Sequence, residues 1–211
     1  MNSFLLYEES DQIFSIFTLG TVMKKYRVLT IVMLSFVLFW GRIYYEIGRP
    51  IDSHNGIFVH YNGPISNVAG RNISKDGYNL GLKYQCVEFV KRYYYEHLNH
   101  KMPESFGHAK NFYDLSVRDG QKNLKRNLYQ FANPSRSVPK EDDLIVFSGT
   151  SRNPYGHVAI VTKVEEGQLE IIQQNPGYFG KARVNLSLVE LKSEKKYRID
   201  HERVIGWLRK E

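Results

Sequence analysis

The chain contains one cysteine, Cys86, within Leu82-Lys-Tyr-Gln-Cys-Val-Glu-Phe-Val-Lys-Arg-Tyr93. From there Val87, Val90, Tyr94 and Leu98 recur at three- and four-residue steps, the spacing of one helix face. Glu88 and Arg92 form an i, i+4 pair in the favourable order. A thiol in the first turn of such a helix faces backbone N–H groups with no intrahelical partner and the positive end of the helix dipole. Both favour thiolate over thiol. Cys86 is therefore placed as a nucleophile; the alternative is a buried, inert cysteine.

Thiol catalysis also needs an imidazole to take and return the proton, and a third polar group to fix that imidazole's tautomer. The chain has seven histidines. His54, His60, His97, His100, His108 and His201 lie in polar or loop-like surroundings and read as surface residues. His157 follows Gly156 and opens the apolar run to Val164, so its ring can project from a sheet edge towards a packed helix. Glu165-Glu-Gly167 turns the chain and Leu169-Glu-Ile-Ile-Gln-Gln174 returns it, a hairpin pattern. Alternation puts Leu169, Ile171, Gln173 and Asn175 on one face and turns Glu170 to solvent. The orienting group is then Gln173 or Asn175. An amide oxygen accepts from an imidazole N–H as a carboxylate does, with less electrostatic help.

The elements that must hold these groups follow from the same pattern. Gly56 to Tyr61 reads as a short strand stopped by Asn62-Gly63-Pro64. Residues 65–82 read as a polar, Gly-rich loop, Ala109 to Val117 as weakly helical, and 118–141 as irregular. Asp143 to Phe147, Ala182 to Leu188 and Arg203 to Leu208 read as strands. Helices first and strands after predict an α+β fold with an antiparallel sheet. The formal net charge of +7 suits an anionic partner such as a membrane surface or cell-wall polymer. No dense Lys/Arg run is interleaved with aromatics, so nucleic acid is not expected. No Cys or His cluster has zinc-site spacing, so neither a metal nor a cofactor is expected.

Upstream, Met23-Lys24-Lys25-Tyr26-Arg27 precedes an uncharged run from Val28 to Trp40, and Ile43 to Ile47 continue it past Arg42. This has the form of a basic and then apolar export signal with no small-residue cleavage site. It predicts an uncleaved signal anchor over 28–47, a cytoplasmic segment 1–27, a linker 48–55 and a catalytic domain 56–211. A cleaved signal and a buried helix are the alternatives, and Met23 is a second candidate start. Lys24, Lys25 and Arg27 outweigh Arg42 and Arg49, which puts the domain outside the cytoplasmic membrane.

Gln85-Cys86-Val87-Glu88-Phe89, Asp143 to Phe147, Gly156-His-Val-Ala-Ile160 and Gln173-Gln-Asn175 resemble the CHAP family of cysteine- and histidine-dependent amidohydrolases/peptidases. Within it the chain is most similar to the amidase domain of bifunctional glutathionylspermidine synthetase/amidase, over about residues 50–210. Gly56 to Tyr61 and Ile205-Gly-Trp-Leu208 are similar to that domain's two ends, and its synthetase partner has no counterpart here. The resemblance implies a papain-like (NlpC/P60-type) fold, with N-terminal helices on an antiparallel sheet, and amide hydrolysis through a thioester. It makes Cys86 the nucleophile, His157 the base and Asn175 a polar residue of the site. It also puts Gln85 and the Cys86 backbone N–H at the oxyanion. Two positions depart from the family. Gln173 stands where it usually has Glu, and Lys91 where the amidase domain has an Arg able to grip a substrate carboxylate. The expected substrate is a peptide amide of the cell wall. The alternatives are a peptide–polyamine conjugate such as glutathionylspermidine, and a non-catalytic binding module of the same fold.

Overall fold

A computed structural model describes residues 3–178 and 180–211, with side chains from Met23 onward. The chain divides after Tyr45 into two units. The first is helix α1 (Ser3–Tyr45). Its segment Met23–Tyr45, of mean hydropathy 1.7, is long and apolar enough to cross a membrane, and none of it is buried. The helix ends two residues short of the expected 28–47 boundary.

The second unit, Glu46–Glu211, is α+β. Its strands are β1 (Pro50–His54), β2 (Ile57–His60), β3 (Arg71–Ile73), β4 (Asn79–Leu82), β5 (Gln121–Asn123), β6 (Leu128–Ala132), β7 (Leu144–Phe147), β8 (His157–Glu165), β9 (Gln168–Ile172), β10 (Arg183–Leu191), β11 (Lys196–Ile199) and β12 (Val204–Arg209). Helix α2 (Cys86–Glu96) lies between β4 and β5. Eight strands form one sheet in the order β11-β10-β9-β8-β7-β12-β6-β5, antiparallel at every pairing.

Alternation divides the core between the two faces of this sheet. Val146, Val158, Ile160, Ile172 and Leu208 pack under Phe89, Val90, Tyr93 and Tyr94 of α2. Ile145, Phe147, Ala159, Val161, Leu169, Ile171 and Trp207 form the opposite core. With both faces covered, β7 is buried at every position, and its sequence reads as an unbroken apolar run rather than an alternating one.

Four stretches differ from the sequence expectation. The supposed linker 48–55 contains β1, which pairs with β2. Its polar sequence fits an edge strand, and it disguised the pairing. The loop 65–82 contains the β3–β4 hairpin, and the irregular stretch 118–141 contains β5 and β6. The helical pattern from Ala109 gives only a 3₁₀ turn, Ala109–Phe112. The chain leaves it because Gln130 takes both backbone groups of Asp114. Its Oε1 accepts the N–H at 2.8 Å and its Nε2 donates to the carbonyl at 2.8 Å. Among the described residues of this unit, one α-helix covers the sheet, where several were expected.

Glu88 ties α2 to its surroundings. It is 1 % exposed and accepts from Asn72 Nδ2 at 2.8 Å, Arg92 Nε at 2.7 Å and Gln174 Nε2 at 2.8 Å. Gly81, at φ +130°, lets β4 approach this helix: a Cβ there would lie 3.2 Å from Glu88 Cα. Glu88→Ala would leave Arg92 buried without its carboxylate and Gln174 short of an acceptor. It should destabilise the domain by about 3–5 kcal/mol, read as a shift of the urea midpoint. Loss below about 1 kcal/mol would show that solvent reaches the cluster.

Candidate active site

Four elements end at one edge of the sheet: β7 at Phe147, β8 at His157, β9 just before Gln173, and β12 at Val204. Phe147 is the cross-strand partner of both His157 and Val204. Gly156 makes the entry to β8 possible. Its φ is +77°, and a Cβ there would lie 2.6 Å from Phe147 O.

The His157 ring is held from one side. Its Nε2 lies 2.9 Å from Gln173 Oε1. Gln173 Nε2 donates to Lys181 O at 3.0 Å, and its backbone N–H donates to Ala182 O at 2.8 Å. With the amide hydrogens turned to Lys181, the oxygen must face the ring, so the proton sits on Nε2. This tautomer is assigned from the hydrogen-bond network. It leaves Nδ1 as a bare acceptor. Cys86 approaches from α2, its thiol against the backbone N–H groups of Val158, Val87 and Cys86 itself. The sulfur thus meets β8 one residue after His157.

Charge at the site runs against the expectation of a resting thiolate. Burial pushes the Cys86 thiol up to about 11, and the three backbone N–H groups offset only part of that. Burial also pushes His157 down to about 4; the Gln173 hydrogen bond opposes this shift and the Arg203 charge adds to it. Desolvation outweighs the helix terminus because no counter-charge enters. At neutral pH the pair is thiol and imidazole.

The other expected residues are placed as follows. Asn175, at φ +61°, donates through Nδ2 to Gln85 Oε1 at 2.7 Å and to Ile65 O at 2.9 Å. Its Oδ1 is buried with no partner among the described residues. Gln85 Nε2 donates to Asn67 O at 2.6 Å and Ile65 O at 3.1 Å. The Gln85 amide therefore has no donor left for an oxyanion, and the backbone N–H of Cys86 remains in place against the sulfur. Lys91 is not brought to the site as a substrate contact. It is 1 % exposed, donates to Asn79 O and, at 2.8 Å, to Ser105 O, and lies 4.6 Å from the Tyr78 ring centroid. Burial, with the charges of Arg126 and Arg71, lowers its pKa to about 7. Glu170 turns away from His157 and pairs with Arg183 at 2.8 Å. His100, read as a surface residue, is buried, with Nε2 2.9 Å from Arg126 O.

Sequence reasoning missed Gln174, which is fully buried. Besides Glu88, it bonds Gln85 O at 3.1 Å, and its Oε1 accepts from His60 N–H at 2.7 Å. The signal was present. In Gln173-Gln-Asn175 a residue facing opposite its neighbours must enter the core under α2, and an amide there needs partners.

Residues 75–175 match the family model for the CHAP domain. This segment is a CHAP domain. It contains Cys86, His157, Gln173 and Asn175, and CHAP domains are hydrolase domains of amidase/peptidase type. The chain is 30 % identical over 149 residues to a glutathionylspermidine synthase of Crithidia fasciculata, covering 62 % of this chain and 20 % of that protein. It is 28 % identical over 107 residues to a trypanothione synthetase of Crithidia fasciculata, covering 51 % of this chain and 16 % of that protein. The aligned part is thus a fifth or less of each relative. The solved structure of Ly7917 aligns over 36 % of this chain and 30 % of its own at 31 % identity and a TM-score of 0.24, too low to carry a structural argument.

The neutral partner of His157 has a measurable consequence. The folded-state pKa lies below the ordinary value of 6.5, so as pH falls through 6.5 the unfolded chain takes up a proton that the folded chain refuses. His157 therefore subtracts stability progressively from pH 6.5 down to about 4, by about 3 kcal/mol at the end. Gln173→Glu places a carboxylate on Nε2 and raises the His157 pKa, so this acid loss should shrink or reverse, while Gln173→Ala removes the hydrogen bond that opposes the shift and should leave the loss at least as large. Unfolding at pH 7.5 and 5 would show this, and an unchanged slope in Gln173→Glu would contradict the assigned contact.

Proposed function

We propose that the domain is a cysteine amidase that cleaves a peptide amide through a thioester on Cys86. The reading rests chiefly on the His157–Gln173 contact, which leaves Nδ1 unprotonated at the end of β8 where Cys86 lies. As Sγ attacks the substrate carbonyl carbon, its proton passes to Nδ1. The resulting imidazolium is held through Nε2–H by the Gln173 oxygen. The tetrahedral oxyanion takes the backbone N–H of Cys86 as a donor. Collapse breaks the C–N bond, and the proton on Nδ1 goes to the leaving amine. A water, deprotonated by the same nitrogen, then hydrolyses the thioester and restores the thiol. Gln173 is the orienting residue in this scheme. Asn175 positions Gln85 and the loop at Ile65 beside the nucleophile. The reading includes a papain-like relation between α2 and the strands.

The substrate we favour is a cell-wall peptide. Support comes from the apolar segment Met23–Tyr45 with Lys24, Lys25 and Arg27 at its start, which together favour an anchored domain outside the cytoplasmic membrane. The names of the two relatives favour a second reading, hydrolysis of a peptide–polyamine amide such as glutathionylspermidine. The chain in neutral detergent, given stem peptides or glutathionylspermidine, should release a free amine from one of them as read by product mass. Cys86→Ala should lower turnover at least about a thousandfold while retaining the fold. Near-normal turnover in Cys86→Ala would overturn the thiol mechanism. A reporter active only outside the cytoplasm, fused after Glu211, should be active; a stronger signal from a cytoplasmic reporter would favour the polyamine conjugate.

A further inference from the structure

With Lys91 buried, the site lacks the cation expected to grip a substrate, and the same edge of the sheet supplies another. Arg203 immediately precedes β12, and its carbonyl accepts Ser148 N–H at 2.7 Å, which fixes the backbone beside the end of β7. Its guanidinium carbon lies 5.8 Å from the Phe147 ring centroid. The Phe147 ring is in turn 5.8 Å from the His157 ring, inclined at 53°, and 5.2 Å from the His201 ring. The Arg203 charge reaches both imidazoles and lowers the pKa of each.

Several other arginines of this unit are committed. Arg92 pairs with Glu88, Arg183 with Asp52 and Glu170, Arg198 with Asp200, and Arg209 with Asp143. Arg203 is half-buried, yet among the described residues its guanidinium has no carboxylate and no hydrogen-bond acceptor. A planar fork laid on an aromatic face keeps its N–H edge free for bidentate recognition.

We propose that Arg203 is the specificity-determining contact of this site: its guanidinium, seated on Phe147 beside His157, binds a carboxylate that the amide substrate carries near the scissile bond. The substrate class is then an acidic peptide amide, and a neutral amide of the same shape is a poorer one. Binding also has a consequence for the base. A carboxylate on Arg203 cancels the positive field that works against imidazolium at His157, so the acidic substrate favours its own proton transfer. This inference rests on Cys86 being the reacting thiol.

The test needs no turnover. Iodoacetate and iodoacetamide alkylate the same sulfur, which displaces iodide as the S–C bond forms and releases its proton to solvent. Only iodoacetate carries a carboxylate, so the ratio of their rates at Cys86 reads the local cation and cancels any change in intrinsic thiol reactivity. In the full chain in neutral detergent, Arg203→Gln should lower the iodoacetate-to-iodoacetamide ratio about fivefold, and Arg203→Lys should keep most of it. Circular dichroism should show both variants folded, since the Arg203 side chain makes no hydrogen bond to lose. An unchanged ratio in Arg203→Gln overturns the assignment. Failure of both reagents to label Cys86 even at pH values that ionise a buried thiol overturns the cysteine reading beneath it as well. Protection of Cys86 from iodoacetamide by S-methylglutathione or by the stem peptide L-Ala-γ-D-Glu-L-Lys, lost in Arg203→Gln, would identify which source supplies the carboxylate.

Discussion

The buried carboxylate of Glu88 fixes both halves of the site. It receives Asn72 from β3, Arg92 from its own helix and Gln174 from the chain leaving β9. A buried anion of this kind is stable only with its partners in place, so three segments must arrive together. Gln174 is the decisive one. With its amide drawn towards α2, Gln173 before it faces the other way. Gln173 reaches His157, and Asn175, in a left-handed conformation, reaches Gln85. The helix that carries Cys86 and the strand end that orients His157 are thereby referred to one point.

The same burial sets the chemistry. A thiol and an imidazole shielded from water, with an amide as third member, rest uncharged. In the proposed reaction the energy for proton transfer would come with the substrate, through the oxyanion contact and through whatever the substrate does to nearby charge. A carboxylate in place of Gln173 would stabilise the imidazolium permanently. A glutamine holds the same tautomer without that bias. Such a site has little thiolate while empty, which protects Cys86 from adventitious oxidation.

Much of this was legible in the sequence. Cys86 opening a helix and His157 opening a strand follow from apolar spacing, and the hairpin turn at Glu165-Glu-Gly167 with strand alternation narrows the residue beside His157 to Gln173 or Asn175; the 2.9 Å contact selects Gln173. What was not legible was long-range. Lys91 looks like a substrate contact until Asn79 and Ser105 bring their carbonyls to it. Gln85 looks like an oxyanion donor until the loop at Ile65 to Asn67 takes its hydrogens. β1 and β5 are polar or short, so their identity comes from partners rather than pattern. Arg203 carries no local signal, because its meaning depends on Phe147 and His157 meeting it across two strand pairings.

The central claim is that Cys86 and His157 rest as a neutral pair poised for transfer. The most direct measurement is the thiolate absorbance near 240 nm followed as a function of pH, taken as the difference between the chain and its Cys86→Ala variant. The account predicts no thiolate step between pH 5 and 8 and a step well above the ordinary thiol value, towards about 11. A thiolate already present at pH 6 would contradict it, and would mean that the pair rests as an ion pair.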